Sequence, residues 1–419
     1  MRALSDELQW RGLIHQATDD ELFKLLDGSS LTAYIGFDPT ADSLHVGNLL
    51  QLCTLRRLQE FGHRPISLAG GGTGMIGDPG GKSEERNLLD VEQLGRNLVA
   101  IRGQLERFLD FTDGRALLIN NGDWLWKIGL LDFLRDIGKH FTVNQMVAKE
   151  SVKSRFEGRD QGISYTEFSY MLLQAYDFLQ LFDLHGCSLQ LGGSDQWGNI
   201  TLGVELVRKL RGKTAYGLTS PLVLKADGTK FGKTESGTVW LDPKKTSPYR
   251  FFQFFINAED AVVGNYLRYF TWLSRESIEA LDTETASHPE RRAAQRALAR
   301  EVTALVHGAE EARRAEEAAA ALFAGDLAAL DERTLLDVFA EAPATVVPRS
   351  PVGLVDLLVR TGLSKSKADA RRTIDQGGAY VNGQKQAADR NVDPDADALH
   401  GRYVVLRRGR KDHHLVRFE

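Results

Sequence analysis

An α/β fold is expected: a parallel-sheet domain over residues 1–245, an all-helical domain over 246–340, a linker at 341–351, and a small α+β domain over 352–419. Three observations lead there. Strand-like and helix-like segments alternate through the first half, the pattern made by parallel strands joined by crossover helices. From Ser247 onward the periodicity is helical without strand signals, up to the alanine-rich stretch Ala309 to Ala324, whose composition favours helix strongly. Pro343, Pro348 and Pro351 then crowd a stretch that neither a long helix nor a central strand should cross.

The elements follow in order. Leu31 to Phe37 reads as a strand, Leu49 to Phe61 as a helix, and Pro65 to Ala69 as a strand ending in glycines. Helical periodicity returns at Ile128 to Arg135 and at Thr166 to Phe182. A short apolar run, Ser188 to Leu191, ends in Gly192-Gly193, and Asn199 to Leu210 is helical again. Beyond the linker, Ser364 to Gln376 is a helix stopped by Gly377-Gly378. Ala379 to Val381 is a strand entering an Asn382-Gly383 turn, and Tyr403 to Arg407 with His414 to Phe418 make a second hairpin.

Composition bounds the function. Over 419 residues, 42% apolar and 26% charged types describe an ordinary globular chain and give disorder or a collagen-like repeat little support. No run reaches the roughly 18 to 20 uncharged apolar residues that span a bilayer. Met1 to Asp6 lacks the basic start and apolar core of a secretory signal. Cys53 and Cys187 are too few for a disulfide framework or a four-cysteine zinc site. A cytoplasmic protein without a metal site of its own is expected. Net charge is −5, but residues 351–419 carry 13 Lys plus Arg against 9 Asp plus Glu, so the tail is the basic piece.

Two glycine motifs point elsewhere. Gly72-Thr73-Gly74-Met75-Ile76-Gly77 fits the dinucleotide fingerprint, which would suit an NAD-dependent oxidoreductase. A helix must open there to meet a pyrophosphate, yet Asp78-Pro79-Gly80-Gly81 follows at once. Gly81-Lys82-Ser83 resembles the end of a Walker loop, but Ile76 stands where its leading glycine belongs. A flexible loop, or backbone exposed beside some other ligand, remains open.

Tyr34 to Asn48 is a strand running through a polar turn into a helix. It delivers Thr40, His45 and Asn48 to a helix N-terminus, where unpaired N–H groups favour negative charge. Taken alone, Ser43 could simply cap that helix with His45 on the surface. Lys230-Phe231-Gly232-Lys233-Thr234 sets two ammonium groups on a glycine-containing loop able to close over a polyphosphate; a solvated basic loop is the plain alternative. Thr166 to Phe182 is apolar nearly all round, so it is buried. Yet Tyr170, Gln174 and Asp177 share one stripe of it, and buried polar groups need partners. A ligand pocket or an internal hydrogen-bond network would supply them. Gly193, Asp195 and Gln196 follow a strand end, where α/β folds place ligands.

His45-Val46-Gly47-Asn48 and Lys230-Phe231-Gly232-Lys233-Thr234 resemble the paired signatures of class I aminoacyl-tRNA synthetases, His-Ile-Gly-His and Lys-Met-Ser-Lys-Ser. Gly36 to His45, Thr166 to Tyr170, and Gly192 to Asn199 narrow the resemblance to the bacterial tyrosyl-tRNA synthetase family, over essentially the whole chain. That resemblance implies a Rossmann-like catalytic domain, ATP with Mg²⁺ as substrate, and L-tyrosine and tRNA(Tyr) as partners. It also implies a homodimer without membrane attachment. Tyrosine would be held by Tyr170, Gln174 and Asp78 at its ammonium, by Asp177 and Tyr34 at its hydroxyl, and near Gln190 and Gln196. ATP and the adenylate would meet Gly36, Asp38, Gly193, Asp195, His45 and Asn48. Thr40, His45 and Asn48 would serve the phosphates, and Lys230, Lys233 and Thr234 would clamp the pyrophosphate, assisted by Lys82 and Arg86. Asn48 in place of the second histidine can donate a hydrogen bond but carries no charge. Tryptophanyl relatives share the architecture, and the Tyr34 and Asp177 pair argues against them.

The basic tail resembles the αL-motif RNA-binding domain first described in a ribosomal small-subunit protein. Lys365, Lys367, Arg371 and Arg372 on its helix, with Arg407, Arg408, Arg410 and Lys411 on its hairpin, are the phosphate-binding candidates. Arg208, Lys209 and Arg211 are candidates for the acceptor end. A catalytically silent RNA-binding relative would keep this tail, but the retention of His45, Lys230 and Lys233 speaks against that alternative.

Overall fold

The apolar runs of the first half form one six-stranded sheet: β1 (Gln16–Ala17), β2 (Thr32–Phe37), β3 (Arg64–Ala69), β4 (Leu117–Asn120), β5 (Cys187–Gly193) and β6 (Tyr216–Ser220). Their order is β1-β6-β5-β2-β3-β4, parallel except for β1 on the edge. Central strands need apolar residues on both faces, and Ala33, Tyr34, Ile66, Leu68, Leu189 and Leu191 are all buried. From β2 the chain winds through β3 to β4, then returns to lay β5 on the other side of β2. This reversal leaves a crevice at the carboxyl ends of β2 and β5, the usual ligand position in open α/β sheets.

The computed structural model describes residues 3–78, 90–149, 152–153, 163–229, 231–234, 237–340, 342–409 and 412–419. They fall into two compact units, Met1–Lys245 with Glu259–Ala294, and Thr246–Ala258 with Gln295–Glu419. This division cuts through the helical domain expected over 246–340. Helices Asp260–Phe270 and Arg275–Ser287 belong with the sheet, because long-range contacts hold them there. Arg57, at the far end of helix Val46–Glu60, donates to the carbonyls of Tyr269 (2.9 Å) and Thr271 (2.8 Å). Arg11 reaches Arg268 O, Thr271 O and Leu273 O. Burial lowers the Arg57 guanidinium to about 10, still charged at neutral pH, and these carbonyls take up its donors in place of water.

The second unit contains a five-stranded sheet in the order Gln384–Lys385, Ala379–Val381, Tyr403–Arg408, Asp412–Phe418, Ala344–Val347. The last of these corrects the linker expected at 341–351. Pro343 and Pro348 flank the strand instead of interrupting it, and Ala344–Val347 pairs in parallel with Asp412–Phe418 at the sheet edge, where prolines at strand ends are tolerated. Nor is 352–419 set apart from the helices before it. One sheet face packs Val404, Leu406 and Val416 on Leu354, Leu357, Leu358 and Ile374. The other packs Tyr403, Val405 and Leu415 against Ala318, Leu327, Leu335 and Phe339. The Asn382-Gly383 turn forms as expected, with φ of 48° and 81°, the left-handed pair that a two-residue hairpin requires.

Candidate active site

A cavity of ≈ 400 Å³ opens at the reversal point between β2 and β5. Fourteen sequence-predicted residues line it: Tyr34, Gly36, Asp38, Thr40, His45, Asn48, Asp78, Tyr170, Gln174, Asp177, Gln190, Gly193, Asp195 and Gln196. Pairing explains part of the convergence, since Tyr34 of β2 stands opposite Gln190 of β5. The polar stripe of helix Tyr165–His185 supplies another wall; Ser164 caps this helix and Gly186 ends it at φ 64°.

The cavity floor is the most buried part. Asp177 is 2% exposed, and accepts from Asn121 Nδ2 at 2.9 Å and from Trp124 Nε1 at 2.7 Å, one on each oxygen. Burial pushes its carboxyl up to about 8, against the pull of those two donors. Tyr34 is 1% exposed, and burial, then the nearby Asp177 charge, raises its hydroxyl well above the ordinary phenol range. Its Oη has no hydrogen-bond partner among the described residues. Gln190 Oε1 and Gln51 Oε1, which line the same cavity, are also buried and unpartnered. Each orphan costs about 1–3 kcal/mol, and all three belong to residues that line the cavity, where a polar ligand can supply what the protein omits.

Higher in the cavity the polar groups are paired to one another. Gln196 Nε2 donates to Asp78 Oδ2 at 2.6 Å, Gln174 Nε2 donates to Gln196 Oε1 at 3.3 Å, and Asn199 Nδ2 donates to both glutamines. Tyr170 Oη donates to Asp38 Oδ2 at 3.0 Å, while Thr73 Oγ1 donates to Asp38 Oδ1 at 2.8 Å. Two carboxylates and several amide oxygens around one space suit an ammonium group. The glycine fingerprint takes no part as such: only a 3₁₀ turn, Thr73–Met75, follows Gly72. That loop instead lends Gly70, Thr73 and Asp78 to the cavity wall.

At the other end lies the N-terminus of helix Val46–Glu60. His45 Nδ1 accepts from Gly47 N at 3.0 Å, so a neutral His45 carries its proton on Nε2. Asn48 Oδ1 accepts from His45 N at 3.2 Å. The oxygen of Asn48 thus closes a capping box and leaves its NH₂ as the donor, which is how an amide occupies a histidine position here. The second signature packs directly on this corner. A Cβ on Gly232, whose φ is +88°, would meet Val46 Cγ2 at 2.7 Å. Phe231 is buried, stacked on Phe270 at 5.5 Å and tilted against Tyr266 at 4.9 Å. Lys233 and Thr234 lie on a two-residue strand paired with Gly237–Thr238. Lys230, Lys82 and Arg86 lie outside the described residues, as do the Lys233 and Thr234 side chains.

The RNA candidates are dispersed. Lys209 donates to His140 O at 2.6 Å and pairs with Glu205, and Arg211 grips Asp183 through two bonds of 2.7 and 2.6 Å. Arg208 is exposed without an ion pair among the described residues. Arg372 and Arg408 share Asp369, whose carboxyl the Arg372 bond and others hold down at about 2. Lys367 pairs with Asp356 at 2.6 Å. Lys365 and Arg371 are exposed, and Arg407 lies over Tyr380. Arg410 and Lys411 lie outside the described residues.

Sequence reasoning missed Asn121, Trp124, Thr73, Asn199 and Gln51. Asn121 and Trp124 follow the end of β4, a strand of partly buried residues too short to announce itself. Asn199 and Gln51 had the better signal, each a polar residue on the inner face of a helix that begins at a ligand-facing strand end.

Residues 26–324 match the family described as tRNA synthetases class I (W and Y), and residues 334–416 match the tyrosine–tRNA ligase SYY-like C-terminal domain. Tyrosine–tRNA ligase from Roseiflexus castenholzii is 57% identical, covering 100% of each chain. The ligase of the same name from Bacillus caldotenax is 56% identical over 98% of this chain and 99% of its own. Among solved structures, a C-terminally truncated mitochondrial tyrosyl-tRNA synthetase of Aspergillus nidulans superposes with a TM-score of 0.69 at 32% identity. It covers 77% of this chain and 95% of its own. Identity at this level over whole chains, on a fold whose cavity is lined by the first signature while Gly232 of the second packs against Val46 and Gly47, means that the chain belongs to the class I tRNA synthetases, and within them to the tyrosine–tRNA ligases.

Proposed function

We propose that the chain activates L-tyrosine with ATP and passes the tyrosyl group to tRNA(Tyr). The observation that carries the substrate assignment is the orphaned Tyr34 hydroxyl beside Asp177 on the cavity floor. Asp177 can accept from a phenol and Tyr34 can donate to it. An indole lacks the oxygen Tyr34 would donate to, and phenylalanine would leave the Tyr34 hydroxyl without a partner. Above them, Tyr170, Gln174 and Asp78 receive the ammonium, whose donors replace bonds the amides now make to one another.

The tyrosine carboxylate is already ionised, so no enzyme nucleophile or base is needed. Its oxygen attacks the α-phosphorus, the bond to the bridging oxygen breaks, and pyrophosphate leaves with the Mg²⁺ that arrived on ATP. The protein's part is placement and charge stabilisation. His45 Nε2–H, Thr40 and the Asn48 amide face the phosphates at the helix end, with Gly36, Asp38, Gly193 and Asp195 along the adenylate. Lys230, Lys233 and Thr234 would clamp the leaving pyrophosphate, assisted by Lys82 and Arg86. A hydroxyl of the terminal tRNA ribose then attacks the tyrosyl carbonyl and releases AMP. Pyrophosphate exchange into ATP, measured separately with tyrosine, phenylalanine and tryptophan, should be far faster with tyrosine than with either of the others; exchange driven best by tryptophan would discard the assignment.

The first unit also carries an apolar surface that needs a cover. Trp126, Leu130, Leu131, Leu134 and Val143 are between 42% and 79% exposed within one short stretch of chain, more than a solitary protein usually leaves to water. A second copy of the chain is the proposed cover, giving a homodimer. The double change Leu131→Glu with Leu134→Glu should sediment as a monomer; an unaltered mass would remove this interface. The expected compartment is the cytoplasm, and no helix of the described residues is long and apolar enough to cross a membrane.

A further inference from the structure

Four side chains form a row across the second unit's sheet. Tyr380 stands opposite Lys385 on one neighbouring strand and Arg407 on the other, and Arg407 stands opposite His413. Directly opposed residues share a face, and this face is the one that Val405 and Leu415 bury against the preceding helices. That cover ends at Phe339, whose ring centre is 5.5 Å from His413. Past it, Tyr380 and Arg407 are half-buried and Lys385 is exposed.

The two adjacent arginines are used differently. Arg408 is bound to Leu363 O and to both oxygens of Asp369, so it holds the tail's own fold together. Arg407 has no carboxylate among the described residues; its guanidinium carbon sits 3.8 Å from the centre of the Tyr380 ring, and its Nε is buried without an acceptor. A flat cation over an aromatic ring, bound by no carboxylate among the described residues, is a platform with a π surface on the basic portion of the chain.

We propose that Tyr380 and Arg407 form a stacking site for one unpaired base of the bound tRNA. The inference rests on the tRNA-charging function proposed above and names a recognition mode within it. Unstacked bases in RNA loops pack on aromatic rings and guanidinium planes, whereas a duplex offers phosphates and 2′-hydroxyls with its base faces hidden. The arrangement therefore selects a loop over a stem. Lys385 flanks the site and neutralises the adjoining phosphate.

The test uses the full-length protein and tRNA(Tyr), with affinity measured over a range of salt. Tyr380→Ala should weaken binding by about 5- to 150-fold while the slope of log affinity against log salt stays unchanged, because no phosphate contact is lost. Tyr380→Phe, which keeps the ring, should bind as the parent does, and tyrosine-dependent pyrophosphate exchange should be the same in all three. Unaltered affinity in Tyr380→Ala would overturn the stacking site while leaving tRNA binding in place. A loss accompanied by a shallower salt slope would overturn it too, since Tyr380 would then be supporting phosphate contacts. If the parent protein itself showed no salt-dependent binding, the tRNA reading would fall first.

Discussion

Replacing Asp177 by alanine is expected to lower kcat/KM for tyrosine activation by roughly 10²- to 10³-fold while leaving the low activity with phenylalanine nearly untouched. In the parent protein Asp177 is the acceptor at the bottom of the cavity, already oriented by Asn121 and Trp124. Without it, an incoming phenol would point its O–H at two N–H donors, in a place 2% exposed where water cannot relieve the mismatch. A lost hydrogen bond to the carboxyl, plus an unsatisfied buried donor, amounts to about 2–4 kcal/mol. Phenylalanine brings no hydroxyl and meets no such mismatch. Pyrophosphate exchange at varied concentrations of each amino acid measures the ratio. Equal losses for both would mean that Asp177 holds the pocket's shape instead of reading the hydroxyl.

Lys233→Ala should cut the rate of adenylate formation by about 10²- to 10³-fold, the usual cost of removing one donor to developing charge, with tyrosine affinity little changed. The expectation follows from where the loop is anchored. Phe231 is stacked on Phe270, and Gly232 abuts Val46 and Gly47 at the helix N-terminus, so the residue after Gly232 starts beside the phosphate corner. Single-turnover formation of adenylate separates the two quantities. A defect confined to tyrosine affinity would remove Lys233 from the transition state.

The same anchoring explains an organisation that chain order conceals. Helix Asp260–Phe270 follows the segment 246–258 yet belongs with the sheet, because Phe270 and Tyr266 receive Phe231 while Arg57 ties the end of that helix to the helix bearing His45. Both ends of Val46–Glu60 are thus used, one at the phosphate corner and the other to hold the element on which the opposing signature rests.

Local order was readable before any coordinates. Period-two and period-3.6 patterns located β2, β3, β5 and the helices after them, since side-chain alternation is set by each residue's immediate neighbours. Asn382-Gly383 announced its turn by the same logic, through a φ preference carried by two residues alone. The stripe Tyr170, Gln174 and Asp177 was visible because it repeats along one helix. Folding in three dimensions settled the rest. β1 and Ala344–Val347 are too short to carry a period and exist because an edge was available to pair with. Asn121 and Trp124 meet Asp177 from more than fifty positions away, and the helices expected to form one domain divided according to which aromatic and guanidinium partners they met. Such contacts are specified by shape and burial between remote segments, and a chain states those only once it has closed on itself.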